Sequence, residues 1–171
     1  MSTLYNFSEK VAIVTGSSSG IGAATAIHFA KFGGQVVITG RNKEKLQKVY
    51  DQCKKVAQEG SFKTTNAVVQ VIGDVTDLEV LKKLVKTAID SFGKIDILVN
   101  NAGFGYPTSI YDPKMLENYD RMMNTNLKPV VALSQLAVPY LEKTKGVIVN
   151  VSSVGSMRPT EVRIAFVFLM K

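Results

Sequence analysis

The chain reads as an α/β protein: a doubly wound parallel sheet of five strands in the order 3-2-1-4-5, with helices on both faces. Three observations predict this. Short β-branched runs alternate with amphipathic helical stretches along the whole length. Right-handed crossovers between such units put the first strand near the middle of the sheet. Glycine and polar residues stand where the strands end, at Gly16, Arg41, Asp74, Asn101 and Ser153. In an open α/β sheet those ends form one edge, across which ligands lie. The 171 residues are expected to make a single domain, 1–171, with an atypical apolar tail over 160–171 and no internal repeat.

The first unit is Val11–Gly22, VAIVTGSSSGIG. A β-branched strand over 11–15 stops at Thr15-Gly16, three serines follow, and Gly20-Ile21-Gly22 opens an alanine-rich helix that ends at Gly33-Gly34. Free backbone N–H groups at that helix start, with the positive end of the helix dipole behind them, suit a pyrophosphate. Gly16 allows the sharp turn, Gly20 a close approach of backbone to phosphate, and Gly22 close packing of helix on strand. The spacing G-x-x-x-G-x-G differs from the commoner G-x-G-x-x-G. His28 lies on this helix without metal-spaced or triad-like companions, and is read as structural.

The second strand is Gln35–Thr39, followed by Gly40-Arg41-Asn42. In a dinucleotide-binding fold the end of this strand meets the adenosine ribose. An acid there would accept from a free 2′-hydroxyl; Arg41, with Asn42 beside it, instead offers a planar cation to a 2′-phosphate. This favours NADP over NAD, the bland alternative being an arginine pointing to solvent. Asn42 is also a good N-cap for a helix running to about Gln58. Leu46, Val49, Tyr50, Cys53 and Ala57 form the apolar stripe of that helix, which makes Cys53 a small core residue.

A polar loop over 59–66 leads to a third strand, Ala67–Ile72, and to Gly73-Asp74-Val75. Asp74 is placed either to accept from an adenine amino group or to cap a turn. Thr76-Asp77-Leu78-Glu79 has the spacing of a capping box, and the helix it opens ends at Gly93. The fourth strand, Ile95–Val99, runs into Asn100-Asn101-Ala102-Gly103, which reads as a ligand edge or as a plain turn. A long helical region is expected from Asp112-Pro113 to about Lys143, kinked or interrupted at Pro129 and Pro139. Asn124, Asn126 and Lys128 sit beside the first kink, as functional groups or as partners for freed carbonyls. The fifth strand, Gly146–Val151, ends at Ser152-Ser153.

Bulk properties exclude several classes. The net charge is +7, but the lysines are spread along the helices, which fits solvated faces rather than a nucleic-acid stripe. The opening MSTLYNFSEK lacks the apolar core of a signal peptide, and no apolar run reaches membrane-spanning length. The single Cys53 argues against a disulfide framework and for a reducing compartment, so a cytoplasmic protein is expected.

Taken in order, Thr15–Gly22, Asp74-Val75, Asn100–Gly103, Asn126 within Asn124–Lys128, and Val149–Ser153 resemble the short-chain dehydrogenase/reductase family. The match runs to about Pro159. The resemblance implies a Rossmann-like fold and hydride transfer between a nicotinamide cofactor and a small-molecule carbonyl or alcohol. It implies that Gly16, Ser18, Ser19, Gly20, Ile21 and Gly22 hold the pyrophosphate, that Asp74 and Val75 meet adenine, and that Asn101, Ala102 and Gly103 line the nicotinamide-side ribose. Asn126 resembles the family's active-site asparagine. Ser153 resembles the serine that polarises the substrate oxygen, and Arg41 the basic residue of NADP-preferring members.

The family's Tyr-x-x-x-Lys, about thirteen residues past the serine, has no counterpart. Phe166 and Met170 stand at those two positions, and no tyrosine follows Tyr140. Phenylalanine fills the volume but transfers no proton. The family's later strands and oligomer interface are also missing from the expected architecture. The chain therefore reads as an NADP(H)-dependent oxidoreductase crippled in its chemistry, or as a non-catalytic dinucleotide-binding protein that senses cofactor or pairs with a full-length relative.

Overall fold

The computed structural model describes residues 5–60, 62–105, 109 and 111–153; the expected apolar tail, with Phe166 and Met170, lies outside them. The elements run β1 (Val11–Val14), α1 (Gly20–Lys31), β2 (Gln35–Gly40), α2 (Lys43–Glu59), β3 (Val68–Ile72), α3 (Leu78–Phe92), β4 (Ile97–Asn100), α4 (Met115–Asn126), α5 (Lys128–Thr144) and β5 (Val147–Asn150). The strands form one sheet in the order β3-β2-β1-β4-β5, and every pairing is parallel. This is the doubly wound Rossmann-like arrangement expected from the alternation of patterns.

The sheet has a core on each face because side chains alternate along a strand. Ala12 and Val14 of β1, with Val36 and Ile38 of β2, pack against Ala26 and Phe29 of α1 and Leu46, Val49 and Cys53 of α2. Ile13, Val37 and Leu98 face the other way, onto Leu81, Leu84 and Val85 of α3 and Leu133 and Ala137 of α5. All four residues of β1 are fully buried, as the central strand of such a sheet must be. Cys53 is a core residue, as its place on the α2 stripe predicts. His28 is exposed, with Nδ1 2.9 Å from the Ala24 carbonyl oxygen on its own helix.

Two local expectations are corrected. Thr76 does not open a capping box. Its hydroxyl and N–H both donate to Asp74 Oδ1 at 3.0 Å, and Asp77 becomes the N-cap of α3, accepting from the Glu79 N–H at 2.9 Å. The neighbouring carboxylate outcompetes the helix for Thr76 because it accepts two bonds at once. Pro113 does not start a helix. Asp112 closes a turn instead, accepting from the Lys114 N–H at 2.9 Å, and α4 begins at Met115. The long helical region is interrupted beside Pro129, as expected, and forms two helices. Leu127 separates α4 from α5, and Pro129 sits in the first turn of α5, where a missing N–H costs nothing. Pro139 stays inside α5. It and Gln135, whose carbonyl it leaves unbonded, are both exposed, so water can take that carbonyl.

The amino ends of the strands are tied by a buried carboxylate. Asp96 Oδ2 accepts from the Val11 N–H at 2.9 Å, and Lys10 and Lys94 lie 3.2 and 3.3 Å from its two oxygens. Its backbone continues the pairing, donating to Val11 and accepting from Val147. This end is closed by charge pairing. The carboxyl end of the sheet stays open.

Candidate functional site

The carboxyl edge of the sheet is a groove with two lobes. The smaller, about 180 Å³, lies over β2 and β3 and is bordered by Ser18, Arg41, Asp74 and Val75. The larger, about 520 Å³, lies over β4 and β5 and is bordered by Ile21, Asn101, Asn126 and Ser153. Gly16, Ser19, Ala102, Gly103 and Phe104 border both, so the lobes form one continuous depression crossing the start of α1. Three sequence-selected residues do not line it. Gly22 is buried in the turn beneath, Gly20 is exposed at the start of α1, and Asn42 caps α2, its Oδ1 accepting from the Lys45 N–H at 2.8 Å.

The turn after β1 is built for this position. Gly16 has φ +64°, and a Cβ there would lie 2.8 Å from the Ala102 Cα. Both the left-handed backbone and the contact demand glycine. A Cβ on Gly22 would strike the Gly16 carbonyl and the Asn101 carboxamide. Gly22 thus seats α1 on the turn and the end of β4 rather than on the body of β1. Gly20 has φ +56° with open space where its Cβ would stand. The N-cap Ser19 makes no side-chain capping bond, and no acid occupies the first turn of α1. The positive end of the helix therefore meets the groove without an internal counter-charge.

Hydroxyls and amides lace the strand ends together. Thr15 Oγ1 accepts from the backbone N–H groups of Asn101 and Ala102 at 2.9 and 3.0 Å. Asn101 Nδ2 returns bonds to the carbonyls of Thr15 and Gly16 at 2.9 and 3.3 Å. Ser17, fully buried, donates to the Val14 carbonyl and accepts from the Thr39 N–H, both at 2.8 Å. Asn100 Nδ2 reaches Asn150 Oδ1 at 2.9 Å, joining β4 to β5. Asn101 thus serves the groove by bracing its floor.

The larger lobe is walled by Phe104. The carboxamide of Asn126 takes both of its backbone groups, accepting from the N–H at 3.0 Å and donating to the carbonyl at 2.8 Å. The Arg121 guanidinium lies 5.3 Å from the centre of its ring, in cation–π range. Thr15 and Ser17, inside the Thr15–Gly22 motif but given no role by the sequence, and Phe104, not singled out at all, carry this architecture. A hydroxyl that pairs across more than eighty residues leaves no local pattern, and a phenylalanine in a loop has no periodicity to mark it.

The charges of the smaller lobe face each other. Arg41 Nη1 is 3.5 Å from Asp74 Oδ2, and both side chains are partly exposed. Burial works to raise the Asp74 carboxyl, but the two Thr76 hydrogen bonds and then Arg41 outweigh it, leaving it below its ordinary value. Asp74 therefore caps a turn, one of the alternatives its spacing left open, and turns Oδ2 to Arg41.

Among the described residues no three His, Cys, Asp or Glu side chains group to hold a metal ion, and no helix is long and apolar enough to cross a membrane.

Comparison with known proteins bears on this groove. The family model described as short chain dehydrogenase matches residues 10–167. An uncharacterized oxidoreductase of Staphylococcus epidermidis is 38% identical over 154 residues, 90% of this chain and 62% of that protein. The chain thus spans less than two thirds of the length of that curated relative. The crystal structure of glucose dehydrogenase of Caenorhabditis elegans in the apo-form superposes with a TM-score of 0.81 at 40% identity, covering 96% of this chain and 65% of that one. A 7α-hydroxysteroid dehydrogenase complexed with NADH and 7-oxo glycochenodeoxycholic acid gives 0.85 at 30% identity, covering 95% and 60%. Proteins of this kind bind nicotinamide dinucleotides, and the strand order, the turn at Gly16–Gly22 and the match over nearly all of the chain lead to one conclusion: the chain belongs to the short-chain dehydrogenase family.

Proposed function

We propose that residues 1–171 form a single dinucleotide-binding domain of an oxidoreductase that moves hydride between NADP(H) and a small-molecule carbonyl or alcohol. One observation carries the reading: the ends of five strands open on one continuous groove, with the uncapped start of α1 at its middle. The residues present suit a dinucleotide. The Gly20 backbone is clear of side chains, Ser18 and Ser19 border the groove beside it, and the first-turn N–H groups answer a pyrophosphate. In this reading Arg41 holds the 2′-phosphate, with Asn42 fixing the backbone beside it. Asp74 and Val75 border the adenine, and Ala102 and Gly103 leave room for the nicotinamide-side ribose. The cofactor, when bound, supplies or accepts the hydride.

On the protein side, Ser153 offers its hydroxyl to the substrate oxygen. Asn126 holds the Phe104 wall of the reaction lobe through the backbone bonds described above. The proton is the weak point. Thirteen residues past Ser153 stands Phe166, and Met170 stands where the family has lysine. Loss of a general acid costs roughly 10²–10⁴ in rate, so this chain is expected to bind cofactor and turn it over slowly or not at all. Binding without catalysis, as a cofactor sensor or as partner of a full-length relative, is the second reading, favoured by an intact Gly16–Gly22 turn beside the absent tyrosine. Titration of the purified chain with NADPH, followed by nicotinamide fluorescence, tests the shared premise, and failure to saturate overturns it. Carbonyl-dependent NADPH oxidation separates the two readings, with robust turnover ruling out a crippled or silent site.

A further inference from the structure

We propose that Asp74 is a second specificity-determining residue, one that works against Arg41 by occupying its guanidinium and so lowering the preference for a 2′-phosphorylated dinucleotide. The inference rests on the reading of Arg41 as the phosphate ligand and extends it to the regulation of that contact.

The two oxygens of Asp74 have different duties. Oδ1 is committed to the Thr76 N–H and hydroxyl, both at 3.0 Å, which fix the carboxylate on the turn after β3. Oδ2 is turned to Arg41 Nη1 at 3.5 Å. The arginine side chain is 76% exposed and the aspartate 38%, so the anchored partner is the acid and the movable one is the base. Among the described residues bordering this lobe, Arg41 and Asp74 are the only ionisable ones. A phosphate arriving at Arg41 must therefore draw the guanidinium from a carboxylate that cannot follow it. A dinucleotide with a free 2′-hydroxyl makes no such demand. Any bond Asp74 gives to adenine is common to both cofactors and cancels when the two are compared.

Replacing Asp74 by asparagine tests this with little disturbance, because the new Oδ1 still accepts from Thr76 while the charge facing Arg41 is gone. NADPH and NADH are titrated by fluorescence against the full 171-residue chain at one ionic strength, for wild type, Asp74→Asn, Arg41→Ala and the double variant. The ratio Kd(NADH)/Kd(NADPH) is expected to rise about two- to fivefold in Asp74→Asn, the size of a partly exposed ion pair, and not to rise when Arg41→Ala is also present. Asp74→Ser, which keeps an oxygen for the turn, serves if the asparagine variant does not fold. An unchanged or lower ratio overturns the inference. So does a rise that persists without Arg41, since the charge would then be acting on the phosphate directly. Absence of NADPH binding by the wild type overturns the cofactor reading and this inference with it, whereas saturable binding with an unmoved ratio overturns this inference alone.

Discussion

Thr15 and Asn101 are joined by a reciprocal pair of bonds across the floor of the groove. The Thr15 hydroxyl accepts from the Asn101 backbone at 2.9 Å, and the Asn101 carboxamide donates to the Thr15 carbonyl at 2.9 Å. Thr15 is only 4% exposed. Replacing it by the isosteric valine strands the N–H groups of Asn101 and Ala102; a buried unpaired donor costs about 1–3 kcal/mol, and these two, only partly buried, fall at the low end. Thr15→Val is expected to lose about 2 kcal/mol of stability and to weaken NADPH binding, while Thr15→Ser retains most of both. Urea denaturation and cofactor titration of the two variants decide whether the hydroxyl or the methyl matters.

The glycines of the turn separate a folding role from a binding role. Alanine at Gly16 meets the Ala102 Cα at 2.8 Å as well as a left-handed backbone at φ +64°, so Gly16→Ala is expected to destabilise by more than the roughly 1–2 kcal/mol of the left-handed penalty alone. Alanine at Gly20 meets open space at φ +56° and is expected to cost only that penalty. It nevertheless puts a methyl where the backbone approaches phosphate. Gly20→Ala should therefore lose tenfold or more in NADPH affinity, on the order of 1.4 kcal/mol, while remaining folded by circular dichroism. Undiminished affinity would move the phosphate site elsewhere.

Arg41 carries the choice of cofactor. Arg41→Asp removes the cation and presents an acid at the end of β2, where a free 2′-hydroxyl can donate to it and a 2′-phosphate is repelled. The variant is expected to favour NADH over NADPH, read as a reversal in the ratio of dissociation constants. Unchanged discrimination would leave Arg41 as a solvated side chain paired to Asp74.

At the other end of the sheet, Asp96 is expected to affect stability alone. Its carboxylate is 5% exposed and serves Lys10, Lys94 and the Val11 N–H. Asp96→Ala leaves that backbone donor and two lysines without their acceptor. A fully buried pair would cost about 3–5 kcal/mol when broken; both lysines are partly exposed, so about 2 kcal/mol is expected here. NADPH affinity of the folded fraction should stay at the wild-type value, because the whole strand length separates Asp96 from the groove.

The fold was legible because burial has a period. Ala12/Val14 and Ile13 had to face opposite sides of a central strand, and Leu46, Val49, Cys53 and Ala57 had to share one side of a helix. The convergence of Gly16, Arg41, Asp74, Asn101 and Ser153 followed from topology, since parallel strands deliver all their carboxyl ends to one edge. Competition between neighbouring hydrogen-bond acceptors was not legible. Thr76 had the spacing of a capping box, but Asp74 took it, and only coordinates show which acceptor wins. Nor does the sequence reveal that Asn101 spends its amide on Thr15 and Gly16, or that Asn126 spends both of its polar atoms on Phe104.

Cys53 gives the last prediction. It is fully buried in the core between the sheet and α2, and burial pushes its thiol up from 9.0 to about 12. In the unfolded chain the thiol ionises from about pH 9 upward; in the folded chain it stays protonated. Folding thus retains a proton that unfolding releases, so the contribution of Cys53 is complete below pH 9 and is lost progressively as pH rises from 9.0 toward about 12. Cys53→Ala, which does not ionise, should show a shallower fall in stability over that window, measured as the difference in denaturation midpoint between the two proteins. The same burial makes the native thiol inert at neutral pH, since the thiolate is the nucleophile. Labelling by a thiol reagent should therefore proceed no faster than the chain opens, and rise with urea along the unfolding curve. Fast labelling of the native protein would mean that α2 leaves the sheet more readily than its packing implies.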